Sequence, residues 1–339
     1  MKMNRTQNSL SPVALLLLAS TGLVSLSRAD AVDLNYETLS SLEKPIATHI
    51  GDTTVELSGL IDGAVDLESD DNDTALTSNF QVSAETQLEN SLTVGAAYFG
   101  FYTSEDSLTG SDNYTDNVAL YVGGTLGTVS AGDVTGMVRE QTRRNRGAGN
   151  AELNYDNTLG ELESRGVAYV GRYGPTQLSA VLDDEGNTDL GLSFQRPLGN
   201  TDYRLSTQYR ESEYVASDAT LFDSTALSLV AEVTYGSTFY DVGIGFEELS
   251  GHELSVDRQY ISAGVATKIG VLTLSAEAHI GDIEGQDERA YSLGASYDIA
   301  RGLSLNLGVN QSDSQVMVDG VSLLDDDITE VLFSLRYSY

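Results

Sequence analysis

Four arginines, Arg139, Arg143, Arg144 and Arg146, fall within eight residues of a chain that holds 18 Lys and Arg against 51 Asp and Glu. A guanidinium is permanently charged and presents its donors in a rigid fork suited to carboxylates and phosphates. Such a cluster in so acidic a chain requires counter-charges or a charged visitor. Carboxylates follow at Glu152, Asp156, Glu161 and Glu163. The stretch from Gly132-Asp133-Val134-Thr135-Gly136 to Arg165 shows no convincing alternation, and a connection of about thirty residues inside a compact unit is usually functional. Two chemistries fit. One is a solvated basic patch paired with nearby acids, in which each exposed pair contributes little. The other is a charged constriction, in which facing groups of opposite sign sort solutes.

Other chemistry has less support. The absence of Cys removes disulfides, thiolate metal sites and cysteine nucleophiles. His279 and His252 have no Ser in a nucleophile-elbow context, and GxSxG is missing, so a hydrolase is disfavoured and no enzyme is expected. The runs Asp70-Asp71-Asn72-Asp73, Asp183-Asp184-Glu185 and Asp325-Asp326-Asp327 are rich in oxygen ligands but lack EF-hand spacing. Solvated loop tips are the plainer reading. The alternative is Ca²⁺ held by Asp70, Asp71 and Asp73. No other cofactor is called for. A net charge of −33 excludes nucleic acid as a partner, because phosphate binding needs clustered Lys and Arg.

The elements that must position the arginines follow from the rest of the chain. Lys2 and Arg5, the apolar run Val13 to Leu26 and the small residues of Ser27-Arg28-Ala29 predict a signal peptide over 1–29. Its removal takes away three positive charges and no negative ones, so −33 becomes −36. Residues 30–52 read as a polar lead, a turn or two of helix or loose chain, with no assigned role. From Thr53 to Tyr339 the chain repeats about ten residues of weak alternation and then a turn, which is the signature of a transmembrane β-barrel. Sixteen such segments are expected, near 53–66, 77–88, 91–103, 114–124, 127–133, 165–174, 176–183, 187–196, 201–212, 225–236, 237–248, 258–269, 271–282, 288–299, 303–312 and 328–339.

The fold class is therefore all-β, an antiparallel sixteen-stranded barrel whose long third loop, about 134–164, folds into the lumen. An even count lets strands pair all round and leaves no open edge in lipid. Tight turns alternate with longer acidic connections such as Glu213 to Ser224, Ser250 to Asp257 and Asp313 to Asp327. The polar faces carry Glu56, Asp62, Glu85, Arg204, Arg210 and Arg336 as lumen-wall candidates, together with Gln81, Gln208, Glu232, Asp241, Glu277, His279 and Asn306, so the interior reads as wet. Tyr203, Tyr209, Tyr291, Tyr297 and Tyr337 share the outward parity, as girdles at a membrane interface would.

Several stretches make a specific resemblance. VALYVGGTLGTVSAGDVTG (118–136), VELSGLIDGAV (55–65), AYSLGASYDIARGLSLNLGV (290–309) and the terminal FSLRYSY are similar, in order and spacing, to general diffusion porins of the Gram-negative outer membrane, particularly the sixteen-stranded α-proteobacterial type. The resemblance runs from about residue 53 to the end. It implies an outer-membrane location amid lipid and lipopolysaccharide, a homotrimer and passive flow of ions and small hydrophilic solutes. It also implies that the C-terminal aromatic, here Tyr339, is read by the barrel-assembly machinery. Relatives usually end in Phe, and many carry an acidic third loop where this chain has arginines. The alternative function is a substrate-specific outer-membrane channel, for an anion or small organic solute, with the loop-three arginines as its binding site.

Overall fold

A computed structural model describes residues 46–67, 74–89, 91–104, 114–145, 147–153, 158–162, 165–251 and 254–339. The predicted signal peptide, most of the lead, Arg146, Asp156, Glu163, His252 and the candidate calcium ligands Asp70, Asp71 and Asp73 lie outside them. The elements in chain order are β1 (Ile46–Ile50), β2 (Thr53–Asp66), β3 (Thr74–Gln87), β4 (Thr93–Thr103), β5 (Tyr114–Gly124), β6 (Gly127–Gly132) and the helix α1 (Met137–Thr142). There follow β7 (Gly166–Tyr173), β8 (Thr176–Asp183), β9 (Thr188–Leu198), β10 (Thr201–Val215), β11 (Leu221–Tyr235) and β12 (Thr238–Gly251). The last are β13 (Leu254–Ile269), β14 (Leu272–Ile283), β15 (Gln286–Ala300), β16 (Leu303–Val318) and β17 (Val321–Ser338).

Each strand from β2 onward pairs antiparallel with the next, and β17 pairs back with β2 through Leu332↔Asp66 to Ser338↔Leu60, closing a ring of sixteen. Closure leaves no open sheet edge over the span that β17 and β2 share, the condition for crossing hydrocarbon with strands. Side chains alternate about this wall. Leu227, Leu229, Ile261, Ile280, Leu293, Leu307, Phe333 and Leu335 are exposed on one face, while Ser228, Glu232, Gln208, Asp241, Glu277 and Asn306 are buried on the other. So large an exposed apolar surface on a closed barrel is suited to lipid, where an outward charge at mid-depth would cost about 2–4 kcal/mol.

Two regions differ from the sequence expectation. Residues 46–50, placed in the polar lead, form β1 and pair with Thr53–Leu57 of β2. The lower edge of β2, beyond the reach of β17, takes up the β-formers Ile46, Thr48 and Ile50, a run too short to show an alternation in the sequence. The second difference lies at the opposite end. The stretches 213–224, 250–257 and 313–327, expected as loops, are largely strand, and β16–β17 continues to Val318↔Val321 around Asp319-Gly320. Both turn residues have positive φ, 50° and 90°, as a type I′ two-residue hairpin requires. At the β10–β11 tip, hydrogen bonds from Thr220 hold the Asp218 carboxyl below the ordinary carboxylate range.

The interior is not uniformly wet. One apolar cluster joins Ala97, Phe99, Ala119, Tyr121, Ala168 and Val181 of β4, β5, β7 and β8 to Val134, Met137 and Val138 of the long connection. A second joins Phe222, Leu249, Val256, Ile283, Val316, Leu323 and Leu324 at the hairpin end of β11–β17.

Candidate functional site in the barrel interior

The connection from β6 to β7 is held by the inner face of the wall. Val134, just before the helix, and Met137 and Val138 in its first turn come together on the inward side of β4, β5, β7 and β8. Thr142 ends the helix, its hydroxyl bonded back to the Val138 carbonyl at 2.8 Å. Beyond it the backbone has no ladder of its own, and its polar groups must find other partners. Ser206 of β10 donates to the Thr142 carbonyl at 2.7 Å, and the Asn145 amide donates to Glu232 of β11 at 2.9 Å. The Ala148 amide donates to Ser275 of β14 at 2.7 Å, and the Glu152 amide to Asn310 of β16 at 2.9 Å. On the return, the Leu159 and Gly160 amides donate to the two oxygens of Glu247 on β12, at 2.9 and 3.0 Å. Gly294 and Gly308 leave room for this path: a Cβ on either would collide with the carbonyls of Ala148 and Asn150 respectively.

The charged groups lock the same path. Arg144, 3% exposed, pairs with Asp241 of β12 and, at 3.0 Å, with Glu277 of β14. Arg139 reaches Glu161 at 3.3 Å and the carbonyls of Thr158 and Gly160, tying the outgoing limb to the returning one. Arg143 pairs with Glu140 at 2.7 Å within the helix and its cap. The wall arginines serve both wall and connection. Arg204 pairs with Glu232 and donates to the carbonyls of Gln141 and Arg143. Arg210 pairs with Asp189 at 2.5 Å and donates to the Gly160 carbonyl at 2.9 Å. Arg336 pairs with Asp62 at 2.8 Å and donates to Asn150 Oδ1 at 2.8 Å. Glu56 and Glu85 stand on β2 and β3, and Glu85 is in register with Gly95, over which the Tyr121 ring lies. Tyr339 stacks on Tyr337 at 6.2 Å and bonds Gly59 through both backbone groups at 2.8 Å.

Sequence reading does not single out a further network. Arg258 of β13, with a fully buried side chain, pairs with Glu247 at 3.1 Å and Glu288 of β15 at 2.6 Å, and lies 4.5 Å from the Tyr260 ring centroid. His279 Nδ1 is 2.8 Å from Ser262 Oγ, and its Nε2 lies 3.2 Å from Glu288. Asp189, which the sequence pattern also passes over, is fully buried. Strand parity carries the signal, since Val256, Arg258, Tyr260 and Ser262 alternate inward. A strand that starts at Arg258, with Val256 in a loop, hides that pattern. Asp183 accepts from the Glu185 and Asn187 amides, so that acidic run shapes a turn. Among the described residues no group of three or more His, Asp or Glu could hold a metal ion.

The sequence model of the Gram-negative porin family matches residues 46–316. This chain belongs to the Gram-negative porin family. Solved structures agree on the fold. The chain resembles OmpT of Vibrio cholerae in a trimer form, with a TM-score of 0.64 at 16% identity over 85% of this chain and 99% of that one. A porin refined at 1.8 Å gives 0.60 at 20% identity over 84% and 100%, and an anion-selective porin from Comamonas acidovorans gives 0.61 at 14% over 85% and 100%. No curated protein sequence matches the chain. As a porin it resides in the outer membrane and forms a diffusion channel. Bacterial barrels of this kind keep short turns on the periplasmic side and longer connections on the outer side.

Proposed function

We propose that the β6–β7 connection narrows this porin's channel and that the channel passes ions and small hydrophilic solutes with a weak preference for cations. The observation that carries this reading is the run of backbone hydrogen bonds from the connection to inner-face side chains on β10, β11, β12, β14 and β16. The sign follows from the pairing. Arg144 and Arg258 each meet two carboxylates, so neutralisation of the arginines leaves negative charge in excess. A low-dielectric wall focuses that excess along the water path. The engaged guanidiniums of Arg139, Arg143 and Arg144 favour diffusion over a channel that uses the loop arginines to bind an anion. The reversal potential in a KCl gradient is expected to favour K⁺, and Glu56→Gln with Glu85→Gln is expected to move it toward zero. An unaltered potential in that double variant would take both carboxylates out of the ion path, and a preference for Cl⁻ in the native protein would overturn the sign.

The assembly is a homotrimer in this reading, supported by the trimeric form of the similar Vibrio cholerae protein. Tyr339, which completes the β17–β2 seam, serves as the signal to the assembly machinery. A detergent-solubilised mass close to three chains is expected, and a mass close to one chain would contradict it.

A further inference from the structure

At the outer end of the barrel, the β10–β11 and β16–β17 hairpins meet although their outermost strands are seven places apart in a ring of sixteen. Tyr214, inward on β10, donates its hydroxyl hydrogen to the Leu323 carbonyl of β17 at 2.5 Å, and Ser217 Oγ lies 3.4 Å from the same oxygen. That carbonyl is available because the ladder slips there. Val316 pairs with Leu324 and Met317 with Ser322, so Leu323 is an extra, bulged residue. A bulge re-aims one residue out of the regular pleat. Here both Leu323 and Leu324 are buried, and they pack with Phe222, Leu249, Val256, Ile283 and Val316 on the inner faces of β11, β12, β13, β14 and β16. Phe222, Leu249, Val256, Ile283, Val316 and Leu323 are all at most 1% exposed.

An open aqueous vestibule would leave inward residues at these heights wet. Apolar inward side chains stabilise by leaving water, at about 1.5–3 kcal/mol for each fully buried Val, Leu, Ile or Phe. We infer that the two hairpin tips form an apolar lid, clasped by Tyr214 and Leu323, that closes the outer mouth over the β10–β17 half of the barrel and selects solutes before they reach the β6–β7 connection. The lid lies outside the charged layer of Arg258, Glu247 and Glu288, two residues beyond Arg258 on β13 and Glu247 on β12. A large hydrated solute must open it or pass along the other half of the mouth. This inference rests on the diffusion-channel reading, and a native protein that conducts nothing in bilayers would refute that reading and not the lid.

The cysteine-free chain permits a direct test with a bulky, membrane-impermeant maleimide applied from the outside to the assembled porin. Val256→Cys lies beneath the lid, whereas Asp257→Cys, next to it, is exposed. Modification of Val256→Cys is expected to be at least about tenfold slower than that of Asp257→Cys, because it must wait for local opening. Adding Tyr214→Ala to the Val256→Cys protein is expected to accelerate it, and liposome swelling with Tyr214→Ala alone is expected to admit a trisaccharide faster relative to a monosaccharide. Equal rates at the two cysteines would overturn the lid, as would a Tyr214→Ala background that changes neither the rate nor the swelling ratio. Retention of the unheated gel mobility in every variant shows that the barrel itself has formed.

Discussion

Arg258→Met is expected to destabilise the barrel by about 3–5 kcal/mol, the usual consequence of removing one partner from a buried ion pair. The guanidinium donates to Glu288 through Nε at 2.9 Å and Nη2 at 2.6 Å, and to Glu247 at 3.1 Å. Methionine keeps much of the apolar stem and leaves two buried carboxylates without their cation. Glu247 also accepts the Leu159 and Gly160 amides and the Ser224 hydroxyl, so its repulsion from Glu288 reaches the returning limb of the β6–β7 connection. Urea titration of the folded fraction, read by the shift of the unheated band on a gel, measures the loss. A companion protein with Arg258→Met, Glu247→Gln and Glu288→Gln is expected to recover most of it, because the penalty belongs to the unpaired charges. A single variant within about 1 kcal/mol of the native protein would show the network to be solvated in practice.

The second large effect concerns conduction. Arg144 reaches two wall strands from the connection, through Asp241 on β12 and Glu277 on β14, and the Asn145 amide beside it bonds Glu232 on β11. Arg144→Met removes this anchor and exposes two carboxylates to the water path. Single-channel conductance is then expected to rise by about twofold in dilute KCl, where screening is weakest, and to converge on the native value in concentrated salt. Current noise is expected to increase as the connection samples more positions. Lys268→Gln serves as the control. Its pair with Asp298 is half exposed on both sides, and such pairs contribute little. Native conductance and noise in the Arg144 variant would remove this residue from the positioning of the connection.

Much of the barrel was legible because the two faces of a strand meet different media. Outward residues such as Leu205, Leu227 and Leu229 cannot be exchanged between lipid and interior without a one-residue slip, so parity alone placed Tyr203, Tyr291, His279 and Glu277 on their faces. Parity failed where the outward medium changed. Asp223, Asp257 and Asp313 are exposed outward residues on strands that continue past the apolar band, and a carboxylate there looks like a loop residue. The ladder needs only backbone groups, which a sequence pattern does not weigh. The bulge at Leu323 compounds this, since it breaks the alternation at the place where Leu323 and Leu324 both turn inward. The arginine cluster was legible as a site by composition, yet its partners were not. Arg144 meets Asp241 and Glu277, two of many inward-parity carboxylates, because the path of a segment without its own ladder is set by tertiary contacts. Arg336 takes Asp62.

The short strand β1 has a bearing on how the ring fixes its stagger. β17 and β1 lie end to end along one edge of β2: Tyr339 bonds Gly59, and Ile46 stands opposite Leu57. A barrel of given strand number is defined by its shear, which the seam between first and last strands determines. A slide of β17 by one residue would turn every side chain on it to the wrong medium. A slide of two residues toward the periplasm would keep the faces correct, but it would drive Tyr339 into the place β1 occupies. β1 is thus a mechanical stop against that slide, set against the end of the closing strand.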